Sequence, residues 1–159
     1  MVFSILMVCT GNICRSPMAE GLLRHRLPEW LKEKVGIRSA GTQGLHGNRA
    51  QPEAVMAAAA HGADISAHRA SMLDTAMIKS ADLVLAMEKY HLDRINSLFI
   101  FRCKHARLLG TFAPDWTDPE IDDPYGLSYA AYEATARRIL ACLPDLIAYV
   151  ERQVELKES

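Results

Sequence analysis

Residues 3–17 read Phe3-Ser4-Ile5-Leu6-Met7-Val8-Cys9-Thr10-Gly11-Asn12-Ile13-Cys14-Arg15-Ser16-Pro17. A short apolar run ends in a cysteine, then come five residues, an arginine and a hydroxyl. The run over residues 3–8 has the length and composition of a buried strand. Ser16-Pro17 reads as the N-cap and first position of a following helix. A turn of this length between strand and helix can fold around one tetrahedral oxyanion. Its backbone N–H groups would point inward, and Arg15 would close the ring as a bidentate donor. The positive end of the helix would face both the anion and the Cys9 sulfur, a setting that favours the thiolate. A thiolate beside a phosphate cradle implies covalent phosphoryl chemistry. A cysteine at the end of a buried strand is ordinarily just a small apolar residue. Here the preceding strand, the permissive Gly11 and the Ser-Pro pair favour the chemical reading.

Outward from this stretch, strand and helix signals alternate. Ala19, Leu22, Leu23 and Leu27 share one face of a helix from Ser16 to about Leu27, with Pro28 near its end. Val35–Ala40 reads as a short strand. The segment 41–51 holds Gly41, Gly44 and Gly47 and reads as a loop. Pro52 opens an alanine-rich helix through His61, which Gly62 stops. Asp82–Met87 reads as a strand followed by a helix from about Glu88, and Arg107–Phe112 as a candidate fourth strand. The segment 113–124 carries prolines and aspartates and reads as a surface loop. Tyr129, Tyr132, Ala136, Ile139, Leu140, Leu143, Ile147 and Val150 fall at helical spacing, and Pro144 predicts a kink or break there. The expectation is one α/β domain over 1–159, a parallel sheet flanked by helices. Ligands of such sheets bind beyond the carboxyl ends of the strands, where Cys9 lies.

Composition narrows the function further. The chain has 159 residues, half of them hydrophobic, and a net charge of -1. No overall basic field points to nucleic acid or an anionic membrane. No apolar stretch approaches the ~20 residues of a membrane span, and the N-terminus lacks the charged region of a signal peptide. Cys9, Cys14, Cys103 and Cys142 have neither zinc-like spacing nor a disulfide framework. Reduced thiols and a cytoplasmic location are expected. The histidines form no ligand pair, so no metal and no cofactor are expected.

Expelling an alkoxide or phenoxide requires a proton donor. The supplier is sought in Glu120-Ile121-Asp122-Asp123-Pro124-Tyr125-Gly126. Its adjacent carboxylates oppose double ionisation. With this second element in place, the chain resembles the low-molecular-weight protein tyrosine phosphatases of bacteria. The matching strings are Val8–Pro17, Ser39-Ala40-Gly41-Thr42, His68-Arg69-Ala70, Asp82–Met87 and Asp123-Pro124-Tyr125. They occur in the family's order and span nearly the whole chain.

The resemblance implies a four-stranded parallel sheet with helices on both faces and a phosphate-binding loop after the first strand. It also implies roles. Cys9 would be the nucleophile, Arg15 the binder of the equatorial oxygens and Asp123 the general acid, with Asp122 a modulating neighbour. Thr10, Gly11, Asn12, Ile13, Cys14 and Ser16 would complete the loop, Ser16 donating to the sulfur. Asn12 would hold the loop's strained shape through bonds to Ser39 and His68. Tyr125 would wall the cleft, and Leu45 stands where many relatives carry a tryptophan. Gly126 replaces a second aromatic, so the cleft is less aromatic than in many relatives. Cys14 would be a redox guard for Cys9, the two closing a reversible disulfide.

The implied partner is a phosphotyrosine-containing protein. Met87-Glu88-Lys89-Tyr90-His91 resembles members acting on tyrosine kinases of capsule or exopolysaccharide export. Three rivals share the scaffold. A thioredoxin-coupled arsenate reductase would need further cysteines after the third strand, and 88–97 contains none. An arginine phosphatase would carry threonine where Ile13 stands. A binding module without activity would have lost Cys9, Arg15 or Asp123. Oligomeric state is left open by the sequence.

Overall fold

The central strand explains the architecture. β1 (Phe3–Cys9) is apolar at nearly every position because both of its faces are covered. Phe3, Ile5, Met7 and Cys9 enter a large core, while Leu6 and Val8 enter a smaller one on the opposite face. A computed structural model describes all residues, 1–159. Its elements are β1, α1 (Arg15–Arg26), α2 (Glu29–Lys32), β2 (Val35–Gly41), α3 (Pro52–Ala60), α4 (Thr75–Ser80), β3 (Leu83–Ala86), α5 (Lys89–Ser97), β4 (Ala106–Leu108), a 3₁₀ turn (Leu109–Phe112) and α6 (Tyr129–Glu158). The sheet has the order β2-β1-β3-β4 with every pair parallel. Helices α1, α3 and α6 supply the large core, and α4 and α5 place Ile78 and Ile95 in the smaller one. The expected four-stranded α/β sheet with helices on both faces is the observed one. No helix is long and apolar enough to cross a membrane.

The differences have physical causes. Helix α1 begins at Arg15 with Cys14 as its N-cap, so Ser16 and Pro17 lie inside the first turn. Ser16 does not cap because its hydroxyl is used elsewhere. Pro17 is tolerated because first-turn N–H groups have no intrahelical acceptor. The strand expected at Arg107–Phe112 is only Ala106–Leu108, and the chain then tightens into the 3₁₀ turn. There Arg107 stacks on Phe112 with 4.2 Å to the ring centroid. Two short helices, α2 and α4, were not expected. The second is announced by Asp74, whose Oδ1 accepts from the Met77 N–H at 2.7 Å.

Pro144 does not break α6, which runs without interruption from Tyr129 to Glu158. Tyr132, Ala136, Ile139, Leu143, Leu146, Val150 and Val154 lie on both sides of the proline and are buried in one core. Packing therefore keeps the helix continuous, while Pro144 itself sits on the exposed face, where water can satisfy the carbonyl that lacks its N–H. Replacing it should release the cost of an interior proline. Pro144→Ala is expected to stabilise the fold by about 1–3 kcal/mol, read as a higher denaturant midpoint. A fall would mean that the proline relieves strain in α6.

Candidate active site

The parallel strands place the C-terminal ends of β1, β2 and β3 together, with Cys9 opposite Gly41 and Val8 opposite Ala86. The loop after β1 is shaped from outside. The carbonyls of Cys9, Thr10, Gly11 and Ile13 accept from the N–H groups of Thr42, Gln43, Leu45 and Gln51 at 2.9–3.1 Å. The Asn12 carbonyl accepts from His68 Nε2 at 2.7 Å, and that of Cys14 from the Met18 N–H at 3.2 Å. With the oxygens drawn outward, the amides from Thr10 to Cys14 turn inward and donate to no protein acceptor. Gly41 is required at the contact, because a Cβ there would collide with the Thr10 carbonyl.

Asn12 is the only non-glycine residue at positive φ, 59°. Asparagine tolerates this region better than most, at a cost of roughly 1 kcal/mol. Its side chain fixes the turn: Oδ1 accepts from the Ser71 N–H at 2.8 Å, and Nδ2 donates to Ser16 Oγ at 2.7 Å. Ser16 then has its own proton available to Cys9 Sγ, 2.9 Å away.

Ser39 is not part of this network. Its hydroxyl donates to Glu20 Oε1 at 2.6 Å and ties β2 to α1. The Asn12 carboxamide is turned toward Ser71 and Ser16 instead, and Ser71 fills the place expected of Ser39. His68 does bond Asn12, through the backbone oxygen.

Arg15 is 1 % exposed. Its Nη1 donates to Glu88 Oε2 at 2.7 Å and to the Ile121 carbonyl at 2.8 Å, and Nη2 lies 3.5 Å from Asp123 Oδ2. A guanidinium this deeply buried needs such partners. The Ile121 N–H donates to the Met87 carbonyl at 2.9 Å, anchoring the acidic loop at the end of β3. Asp123 Oδ1 accepts from the Tyr125 N–H at 3.1 Å. A cleft of about 230 Å³ is lined by Cys9, Thr10, Gly11, Ile13, Cys14, Arg15, Gln43, Leu45, Asp123 and Tyr125. Asp122 faces another hollow, with Trp116 and Arg138. Cys14 contacts Tyr132 Oη at 3.6 Å, and burial pushes its thiol up to about 12.

Sequence reasoning missed Glu88, Gln43, Ser71 and His91. His91 is fully buried, and its Nδ1 accepts from the Glu88 N–H at 3.1 Å. An N–H can only donate, so the neutral ring carries its proton on Nε2 and donates it to Thr10 Oγ1 at 2.8 Å. Burial first, then the Arg15 guanidinium, push His91 down to about 4. An unfolded histidine takes up its proton near pH ~6.5. The unfolded state therefore binds more protons between there and about 4. Stability present above that window is lost as pH falls through it. His91→Gln should flatten the pH dependence of unfolding free energy over this range. An unchanged slope would mean that the ring titrates freely in the fold.

The sequence profile of low molecular weight phosphotyrosine protein phosphatases matches residues 4–156. A probable low molecular weight protein-tyrosine-phosphatase, EpsP of Ralstonia solanacearum, is 37% identical over 155 residues, covering 98% of this chain and 93% of its own. The crystal structure of the Erwinia amylovora tyrosine phosphatase AmsI superposes with a TM-score of 0.83 at 36% identity, covering 94% of this chain and 93% of that one. The YwlE arginine phosphatase of Geobacillus stearothermophilus also reaches a TM-score of 0.83, at 34% identity, covering 94% of each chain. A whole-chain match with anion loop, buried arginine and cleft aspartate in place leaves one assignment: the chain belongs to the low-molecular-weight phosphotyrosine protein phosphatases, a family of phosphoric monoester hydrolases.

Proposed function

We propose that the protein hydrolyses phosphotyrosine in proteins through a cysteinyl-phosphate intermediate. The observation that carries this is the ring of inward amides around Cys9 Sγ, with Arg15 and Asp123 in the same cleft. The phosphate dianion docks on the amides of Thr10, Gly11, Asn12, Ile13 and Cys14 and on the free edge of Arg15. Cys9 attacks phosphorus, and the bond to the phenolic oxygen breaks. Asp123 gives its proton to that oxygen. It then takes a proton from the water that attacks the S–P bond, releasing phosphate and restoring the thiolate. Fixed amides and a paired guanidinium need little reorganisation as charge moves onto the equatorial oxygens, and most of the acceleration is assigned to them. No step calls for a metal or an organic cofactor.

Around this centre, Ser16 stabilises the sulfur, and Asn12 with His68 holds the loop. Glu88 aims Arg15. His91 acts as a positioning residue on Thr10. Leu45 and Tyr125 wall the entrance. Cys14 remains the proposed redox guard: peroxide oxidises Cys9 to a sulfenic acid, the Cys14 thiol condenses with it to form the disulfide with loss of water, and an added thiol reduces it back. The substrate is placed in the cytoplasm, where reduced cysteines persist. A tyrosine kinase of polysaccharide export is its suggested class, on the resemblance of Met87–His91. Arginine phosphatase is the second reading, favoured by the equal superposition on YwlE. Against it, Ile13 lines the cleft as a bulky apolar residue.

Asp123→Asn is expected to lose on the order of 10²–10⁴ in kcat with poor leaving groups, while Asp122→Asn keeps most of the rate. The reverse ranking would remove Asp123 from the acid role. Phosphate release from matched phosphotyrosine and phosphoarginine peptides, in reductant and chelator, should favour phosphotyrosine. A preference for phosphoarginine would replace the first reading with the second.

A further inference from the structure

The net charge of -1 conceals a local segregation. From Arg94 to Pro114 there is no Asp or Glu, while Arg94, Arg102, Lys104 and Arg107 all fall there. Arg107 is occupied by Phe112 and Thr111. The middle of this stretch is the connection from α5 to β4, residues 98–105.

The base of the connection is pinned. Asn96 Oδ1 accepts from the Cys103 N–H at 2.8 Å, and His105 Nε2 donates to the Ile78 carbonyl at 2.8 Å. Leu98 and Phe99 pack against the smaller core, which includes Cys103. The tip has no such support: Ile100 is 95% exposed and Phe101 83%. Neither side chain contributes to a core. A hollow of about 450 Å³, larger than the phosphate cleft, adjoins them. Lys79, Arg102 and Lys104 line it, and no carboxylate does.

We propose that the 98–105 loop docks the protein on an anionic lipid bilayer. Ile100 and Phe101 enter the headgroup layer, and Lys79, Arg102 and Lys104 meet the lipid phosphates. A second copy of the chain is a poor occupant, because it would bring the same cations face to face. The neighbouring edge strand β4 has only three residues and offers little for strand addition. The loop precedes β4, so it lies at the N-terminal end of the parallel strands, opposite Cys9. Docking there leaves the cleft facing the aqueous side.

Flotation with vesicles tests this without relying on turnover. The wild type should float with phosphatidylglycerol–phosphatidylcholine vesicles, and not with phosphatidylcholine alone, and high salt should release it. Ile100→Ser with Phe101→Ser should weaken binding at least about ten-fold. Arg102→Gln and Lys104→Gln should each weaken it roughly five-fold. Hydrolysis of a small aryl phosphate should be unchanged in all of them and reports intact folding. No flotation with anionic vesicles, equal flotation with neutral ones, or variants that float like the wild type would overturn the proposal. A dimer, or a complex with an acidic protein, that is lost in the Ile100→Ser/Phe101→Ser variant while vesicles remain unbound would also overturn it, and would give the surface to that partner.

Discussion

The site depends on where six carbonyl oxygens point. Those of residues 9–14 all accept from donors outside the turn, in the segment 42–51, at His68 and in α1. A peptide unit whose oxygen is held outward must present its N–H inward. The cradle is therefore set by the body of the protein before any anion arrives, and binding need not organise a flexible loop. The fit leaves little tolerance. Gly41 lies against the Thr10 carbonyl, and Asn12 takes a left-handed conformation secured by three hydrogen bonds.

The second constraint is a buried positive charge. Arg15 would be costly in the interior without partners, and Glu88 and the Ile121 carbonyl supply them. Both acceptors lie on Nη1, so the other edge of the guanidinium is directed at the cleft and at Asp123. Glu88 is held in turn at the start of α5, where its N–H engages a neutral His91 whose other nitrogen grips Thr10. The arginine and the anion loop thus share one support at the ends of β1 and β3.

What the sequence made legible was local. The apolar run of β1, the cysteine–arginine spacing and Asp123-Pro124 are contiguous strings with their own physical meaning, and they came together in one cleft. The errors arose where tertiary contacts overrule local chemistry. Ser16 has the identity of a helix cap, yet its hydroxyl serves Asn12 and Cys9. Pro144 has the identity of a breaker, yet α6 is buried in the same core on either side of it. Ser39 was assigned to Asn12, yet it bonds Glu20 on α1. Glu88 and His91 were missed because nothing in their own segment announces a partner 73 or 81 residues away. The position of Glu88 just past β3, at the carboxyl edge of a parallel sheet, was the available signal.

On the proposed mechanism the cradle holds phosphate for attack by Cys9. Rapid quenching of the Asp123→Asn variant during turnover of 4-nitrophenyl phosphate, whose leaving group departs without an acid, followed by peptide mass analysis under conditions that preserve thiophosphate esters, tests it directly. One phosphoryl group, on Cys9, should accumulate as the second step slows. Phosphate on another residue, or turnover with no phosphoenzyme at any quench time, would contradict it.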